Sequence, residues 1–211
     1  MRKRPDLTIG VLSDTHLPYR LASLPPIIYN IFRDVDYILH AGDVDDITHL
    51  NLLEKIAPLY AVRGNVHLQD LSFGGKNLPL EVRLTLANHH IVVTHGHRPG
   101  LMGWLFKAPE LIAAAKSGAG GRVVNEQIVN RLYARYAEAD VVIFGHTHAP
   151  YAKRMGGTLF FNPGSVAPSQ HQMTSVGLLH LWPQKVEVQI IPLDHLCHRI
   201  NRLKRWVSSA Q

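Results

Sequence analysis

Five short segments bring together side chains that bind metal ions: Asp14-Thr15-His16, Gly42-Asp43, Gly64-Asn65, Thr94-His95-Gly96-His97 and Gly145-His146-Thr147-His148. An apolar run precedes each one, at 7–12, 37–39, 59–62, 91–93 and 141–144. Such runs read as β-strands, and in an α/β sheet the strand ends converge on one rim where ligands and ions bind. The candidate ligands Asp14, His16, Asp43, Asn65, His95, His146 and His148 are more than one metal needs. Imidazole mixed with carboxylate suits a pair of divalent transition metals, with Mn, Fe, Ni and Zn all compatible. The chemistry this points to is hydrolysis at a dinuclear metal site.

The elements that must position these groups are read from periodicity. Strand 7–13, a helix near 24–34 with Pro25 and Pro26 in its first turn, and strand 37–42 come first. A helix near 46–57 comes next, with Ile47, Leu50, Leu53 and Ile56 at helical spacing, and then strand 59–64. This βαβαβ order implies parallel pairing and right-handed crossovers. One residue separates Asp14 from His16, and one separates His146 from His148. In an extended chain both members of such a pair point the same way.

Further along, Val82, Leu84 and Leu86 alternate with polar residues, and Asn88-His89 turns the chain into strand 90–95. After the run 141–145, segments 158–161, 176–181 and 186–191 read as a further antiparallel set, with turns at Gly156-Gly157 and Pro183-Gln184. Two mixed sheets packed face to face with helices outside is the layered α/β architecture expected. Residues 122–138 read as a helix from Val124, Ile128, Leu132 and Tyr136, which leaves 101–121 as an apparent insertion. Its Trp104, Leu105 and Phe106 suit a lid or pocket wall beside His97, or plain packing on the outer helices. A C-terminal helix over 194–207 carries Leu196, Ile200, Leu203 and Val207 on one stripe. Packing on its own domain, a homo-oligomer contact and contact with anionic partners are its three candidate uses.

At 211 residues and 46% hydrophobic, the chain reads as one domain over 1–211. The formal charge of +6 invites a nucleic-acid partner, but the basic residues are scattered and not interleaved with aromatics. A solvated basic surface is favoured, and bound cations would add to the attraction for phosphate. The single cysteine, Cys197, excludes an intrachain disulfide and a cysteine-rich zinc site, and it suits a reducing compartment. No stretch approaches the roughly 20 apolar residues of a membrane span. The basic start Met1-Arg2-Lys3-Arg4 precedes a run too short for a signal peptide, so the cytoplasm is the expected address and no membrane is a partner. His49, His89, His171, His180 and His195 have no motif around them, and His40 is expected to support the loop before Asp43.

The ordered series D-x-H, GD, GN, H and GHxH, with Asn162-Pro163-Gly164-Ser165 after it, resembles the calcineurin-like metallophosphoesterases, in their small YfcE-type phosphodiesterase branch. The resemblance runs from about Leu7 to Ile191 and implies a four-layer αββα sandwich. By resemblance Asp14, His16 and His148 hold one divalent metal, Asn65, His95 and His146 hold a second, and Asp43 looks like the bridging carboxylate. A hydroxide between the two metals would attack the phosphorus of a small phosphoester, a diester in preference to a monoester. The resemblance places His97 beside the substrate phosphate, as a catalytic or binding residue. Arg63 shares a strand face with Asn65 and is a candidate for phosphate contact or for a surface ion pair. Where many relatives follow GN with a proton-donating His, this chain has Val66 and then His67, which leaves the role of His67 open between acid and rim residue. Two other functions stand beside the enzyme. One is a binding scaffold on the same fold, as in the retromer subunit that resembles these enzymes. The other is a nuclease or nucleotide-processing enzyme.

Overall fold

The computed structural model describes residues 4–65, 78–97, 120–169 and 172–193. β1 (Leu7–Leu12) is apolar on both faces and takes the middle of a five-stranded sheet. It pairs in parallel with β2 (Tyr37–His40), which pairs in parallel with β3 (Leu59–Ala61). On its other side lies β9 (Ser175–Trp182), antiparallel, with β10 (Lys185–Pro192) beyond it at the edge. The second sheet runs β4 (Glu81–Leu86), β5 (His89–Thr94), β6 (Val141–Ile143), β8 (Thr158–Asn162) and β7 (Tyr151–Met155). β5, β6 and β8 are parallel to one another.

Three apolar layers hold the stack. Ile9, Val11 and Leu39 from the first sheet meet Ile91, Val93, Ile143 and Phe161 from the second. Outside the first sheet, Ile28 and Phe32 of and after α1 (Pro26–Ile31), with Leu50 and Leu53 of α2 (Leu50–Glu54), cover Leu12 and Ile38. Outside the second, α3 (Gly120–Tyr136) lays Val124, Ile128, Leu132 and Tyr136 over Val92, Val142 and Phe160. Full burial of such side chains is worth roughly 1.5–3 kcal/mol each. The αββα sandwich is the fold.

Several local expectations change. The helix near 24–34 shrinks to α1, and Pro25, the residue before it, offers no side-chain cap. The helix near 46–57 splits into a 3₁₀ turn (Ile47–His49) and α2, because the Asp46 carboxylate accepts the Thr48 N–H at 2.9 Å and tightens the entry. The final strands are not one antiparallel set. β8 lies in the second sheet, antiparallel to the unanticipated β7 across Gly156-Gly157 and parallel to β6, whereas β9 and β10 cross to the first sheet. Alternation shows that a strand has a buried face, and it cannot say which sheet supplies the cover. Gly120 and Gly121, expected to end an insertion, open α3; the remainder of 101–121, His67 and the 194–207 helix lie outside the described residues.

Parallel pairing is what positions the functional groups. It brings the carboxyl ends of β1, β2, β5, β6 and β8 together at one rim of the sandwich.

Candidate metal centre

At that rim the strand-end loops are stitched to one another. Asp14 N–H donates to Gly42 O at 2.9 Å, His16 N–H to Asp43 O at 3.1 Å, and Gly145 N–H to His95 O at 3.2 Å. The expected extended geometry at Asp14 and His16 is not what directs them. Asp14, His16, Asp43, His146 and His148 all have left-handed backbone, with φ of 52°, 47°, 56°, 74° and 58°. A left-handed L-residue costs roughly 1–2 kcal/mol. Five of them together approach the net stability of a whole domain, about 5–15 kcal/mol. Only a surrounding structure that over-determines these loops can hold that strain, and strain of this kind concentrates at functional sites.

Two motif glycines permit the approach. A Cβ on Gly64 would overlap the Asp43 carboxylate, and one on Gly145 would overlap Ser13 Oγ and press on Asp14 Oδ2. With hydrogen there instead, the carboxylates sit directly against the neighbouring chain.

The side-chain atoms form two joined groups. Asp14, His16 and His148 converge so that one ligand atom from each lies within 4.8 Å of the others, and so do Asp14, Asp43 and His95. His148 Nε2 stands 3.3 Å from Asp14 Oδ1 and 3.4 Å from His16 Nε2. Asp43 Oδ2 lies between the groups, 3.7 Å from His16 Nε2 and 3.4 Å from His95 Nε2. Asn65 Oδ1 closes the far side, 2.9 Å from His95 Nε2 and 2.8 Å from His146 Nδ1. Asp14 Oδ1 is a buried oxygen with no hydrogen-bond partner among the described residues. An orphaned carboxylate oxygen facing ring nitrogens is the environment a divalent cation satisfies, so these residues fit metal ions.

The domain profile of the calcineurin-like phosphoesterase superfamily matches residues 7–182. The chain belongs to that superfamily. A probable metallophosphoesterase of Methanothermobacter thermautotrophicus is 30% identical over 185 residues, spanning 88% of this chain and 92% of the relative. Among solved structures, Chaetomium thermophilum Vps29 superposes with a TM-score of 0.62 at 17% identity, covering 88% of this chain and 96% of that one. Zinc-complexed Vps29 of Entamoeba histolytica does so with a TM-score of 0.58 at 19% identity, covering 88% and 99%. Metal-dependent phosphoester hydrolysis is the activity of this metallophosphoesterase family, and the convergent Asp and His residues are this member's candidate metal-binding groups.

In this metallophosphoesterase several buried groups orient the candidate ligands. His95 donates from Nδ1 to Ala41 O at 2.7 Å, which leaves Nε2 facing Asn65 and Asp43. Burial opposes charge on His95, yet the Asp43 carboxylate, with Asp14 and the Ala41 carbonyl, outweighs it and raises the pKa to about 9. His148 goes the other way, lowered chiefly by burial. His97 is lowered to about 3, first by burial and then by His95 and His146, so its ring is neutral at ordinary pH. It stands 5.4 Å from the His95 ring and 6.3 Å from the His146 ring, and its buried Nδ1 has no hydrogen-bond partner among the described residues. The positive charges of Arg63 and Arg20 are felt at His97 and His148, at opposite ends of the centre.

His40 supports its loop as expected: Nδ1 accepts the Gly42 N–H at 3.2 Å, and Nε2 pairs with Thr15 Oγ1. Sequence reasoning missed Asp45, whose buried carboxylate lies 3.4 Å from His16 Nδ1 and orients that ring. Its signal was the Asp43-Val44-Asp45 alternation. Ser13 was missed too; its Oγ donates to Asp14 Oδ2 at 2.6 Å. Asn125, in the middle of α3, offered no signal at all.

Proposed function

We propose that this chain is a dinuclear phosphodiesterase acting on small phosphoesters. The observation that carries the reading is Asp43 Oδ2, set between His16 Nε2 at 3.7 Å and His95 Nε2 at 3.4 Å, as a carboxylate shared by two ions would be. Asp14, His16 and His148 would hold one ion, and Asn65, His95 and His146 the other. When bound, two such cations lower the pKa of a water from about 15.7 towards about 7 and offset the charge that develops on a transferring phosphoryl group. The protein's own groups then orient the substrate. His97 offers an uncharged ring to a phosphate oxygen, Asn65 supports an equatorial oxygen, and Arg63 and Arg20 draw the anion to the rim. A diester carries one negative charge where a monoester carries up to two. A neutral His97 adds no positive charge for the second, which favours the diester.

The test is to strip the protein of metal, reload it separately with Mn²⁺, Fe²⁺, Ni²⁺ or Zn²⁺, and assay aryl and alkyl diesters beside aryl monoesters. Turnover of diesters above monoesters, restored by metal, is the expected result. With Val66 where relatives place a proton donor, aryl diesters should outpace alkyl ones, since proton transfer to the leaving group contributes roughly 10²–10⁴-fold. A flat rate across leaving groups would show that an acid operates, and His67→Ala would identify it. The likeness in fold to Vps29 favours a second reading, a metal-binding scaffold. Two tightly bound ions with no turnover of any phosphoester would decide for that reading.

A further inference from the structure

One buried polar cluster touches the candidate ligands without itself offering a metal-binding atom to them. It centres on Asn125 of α3 and Asn162 at the end of β8, both 0% exposed. Thr147 Oγ1, between His146 and His148, donates to Asn125 Oδ1 at 2.8 Å and accepts from Asn162 Nδ2 at 3.0 Å. Asn162 Nδ2 also reaches Gly145 O at 3.1 Å and Asn125 Oδ1 at 3.3 Å. Asn125 Nδ2 donates to Ala149 O at 3.0 Å. Every residue from Gly145 to Ala149 except the two histidines is therefore tied to one of the asparagines or to Thr147.

The loop thus held is strained. Thr147 N–H bonds to Gly145 O at 2.9 Å, an i→i+2 bond that closes a γ-turn on His146 at φ 74°. A γ-turn with positive φ is rare and costly, and His148 comes after it in left-handed conformation. Without fixed partners on both sides, such a loop relaxes to commoner backbone angles and swings both rings.

We propose that Asn125, Thr147 and Asn162 form a positioning latch that holds His146 and His148 in ligating geometry and so sets the affinity of the centre for metal. The inference rests on the dinuclear reading, because it takes the two histidines as ligands of two ions. Helix α3 thereby acts on the centre across a layer boundary: its apolar stripe packs on the second sheet while Asn125 reaches past it to the rim.

Thr147→Val tests the latch. It removes the hydroxyl and keeps the branched shape, and the two asparagines still satisfy each other and Gly145 O, so the fold survives. Metal-stripped full-length protein is titrated calorimetrically with Mn²⁺ and with Zn²⁺, alongside thermal unfolding of the metal-free forms. Groups that orient a ligand are worth roughly 10–100-fold in affinity. Thr147→Val should weaken both ions by that factor while the metal-free melting temperature stays near the parent's, and Thr147→Ser should restore the affinity. A merely structural hydroxyl would do the reverse, lowering the melting temperature and leaving affinity intact. Parent-like affinity in Thr147→Val overturns the latch alone; a parent chain that binds neither ion overturns the metal reading and the latch together.

Discussion

The β4–β5 hairpin and the rim of parallel strand ends are made from the same kinds of residue. In the hairpin, Ala87 and Asn88 have φ of 48° and 65°, but they are the two central residues of a tight turn that requires such angles. Its histidines are satisfied: His89 Nε2 bonds to Trp182 O at 2.7 Å, and His90 Nδ1 to Thr85 Oγ1 at 3.3 Å. Its carboxylate, Glu81, takes Arg83, Arg135 and the Tyr136 hydroxyl. A cavity of about 340 Å³ opens beside it, lined by Arg83, Thr85, His90 and Glu138. That cavity lies at the other end of β5 from His95, five residues or roughly 16 Å away along the strand.

At the rim the left-handed residues sit in no hairpin, the imidazoles face carboxylates and one another, and Asp14 Oδ1 has no hydrogen-bond partner among the described residues. Concavity and residue type would direct attention to the hairpin. Strain outside any hairpin turn, together with a buried carboxylate oxygen that has no hydrogen-bond partner among the described residues, directs attention to the rim.

The sharpest way to break this contrast is Asp43→Asn. If the carboxylate is shared, both ions should weaken and turnover should fall roughly a thousandfold, since the Lewis-acid contribution is several kcal/mol. Metal content and steady-state rates measure it. A variant that kept two tight ions and normal turnover would make the rim no more special than the hairpin.

Gly145→Ala comes next. The new Cβ must displace Ser13 Oγ and crowd Asp14 Oδ2, a packing cost of roughly 1–3 kcal/mol. Metal affinity should fall along with denaturant stability, because the displaced groups hold a candidate ligand. The opposite outcome is expected of Ala87→Gly. Glycine relieves the left-handed strain in the hairpin turn, and stability should rise by under about 1 kcal/mol with metal affinity unchanged. Loss of metal in that variant would erase the distinction between the two regions.

The smallest effect concerns Glu81. Foremost the hydrogen bond from Tyr136 holds its carboxyl below the usual range, against an opposing effect of burial, with help from Arg83 and Arg135. A depressed folded pKa adds stability above the unfolded value, and that stability is lost as pH falls through the folded one. Glu81→Gln should therefore flatten the acid limb of the stability curve below about pH 4.5 by a few tenths of a kcal/mol, the group being partly solvated. Urea unfolding at descending pH reads this directly, and metal affinity should not move.

The parallel βαβαβ unit, the two-sheet layering and the seven candidate ligands are all legible in the order and spacing of residues. Apolar runs that end in ordered Asp, Asn and His motifs are local signals, and strand ends have only one rim on which to meet. No such signal could assign β9 and β10 to the first sheet, because alternation is the same whichever sheet supplies the buried partner. Nor could one show that Asp14, His16, Asp43, His146 and His148 have left-handed backbone, since such angles are imposed by contacts from other strands. Asp45 had a faint trace in its spacing from Asp43, whereas Asn125 had none. An asparagine in mid-helix becomes a support for the rim only when α3 packs on the second sheet and brings it within 3.0 Å of Ala149 O. Composition and order chose the chemistry, but only long-range packing supplied the energy to hold those side chains in conformations their own backbone disfavours.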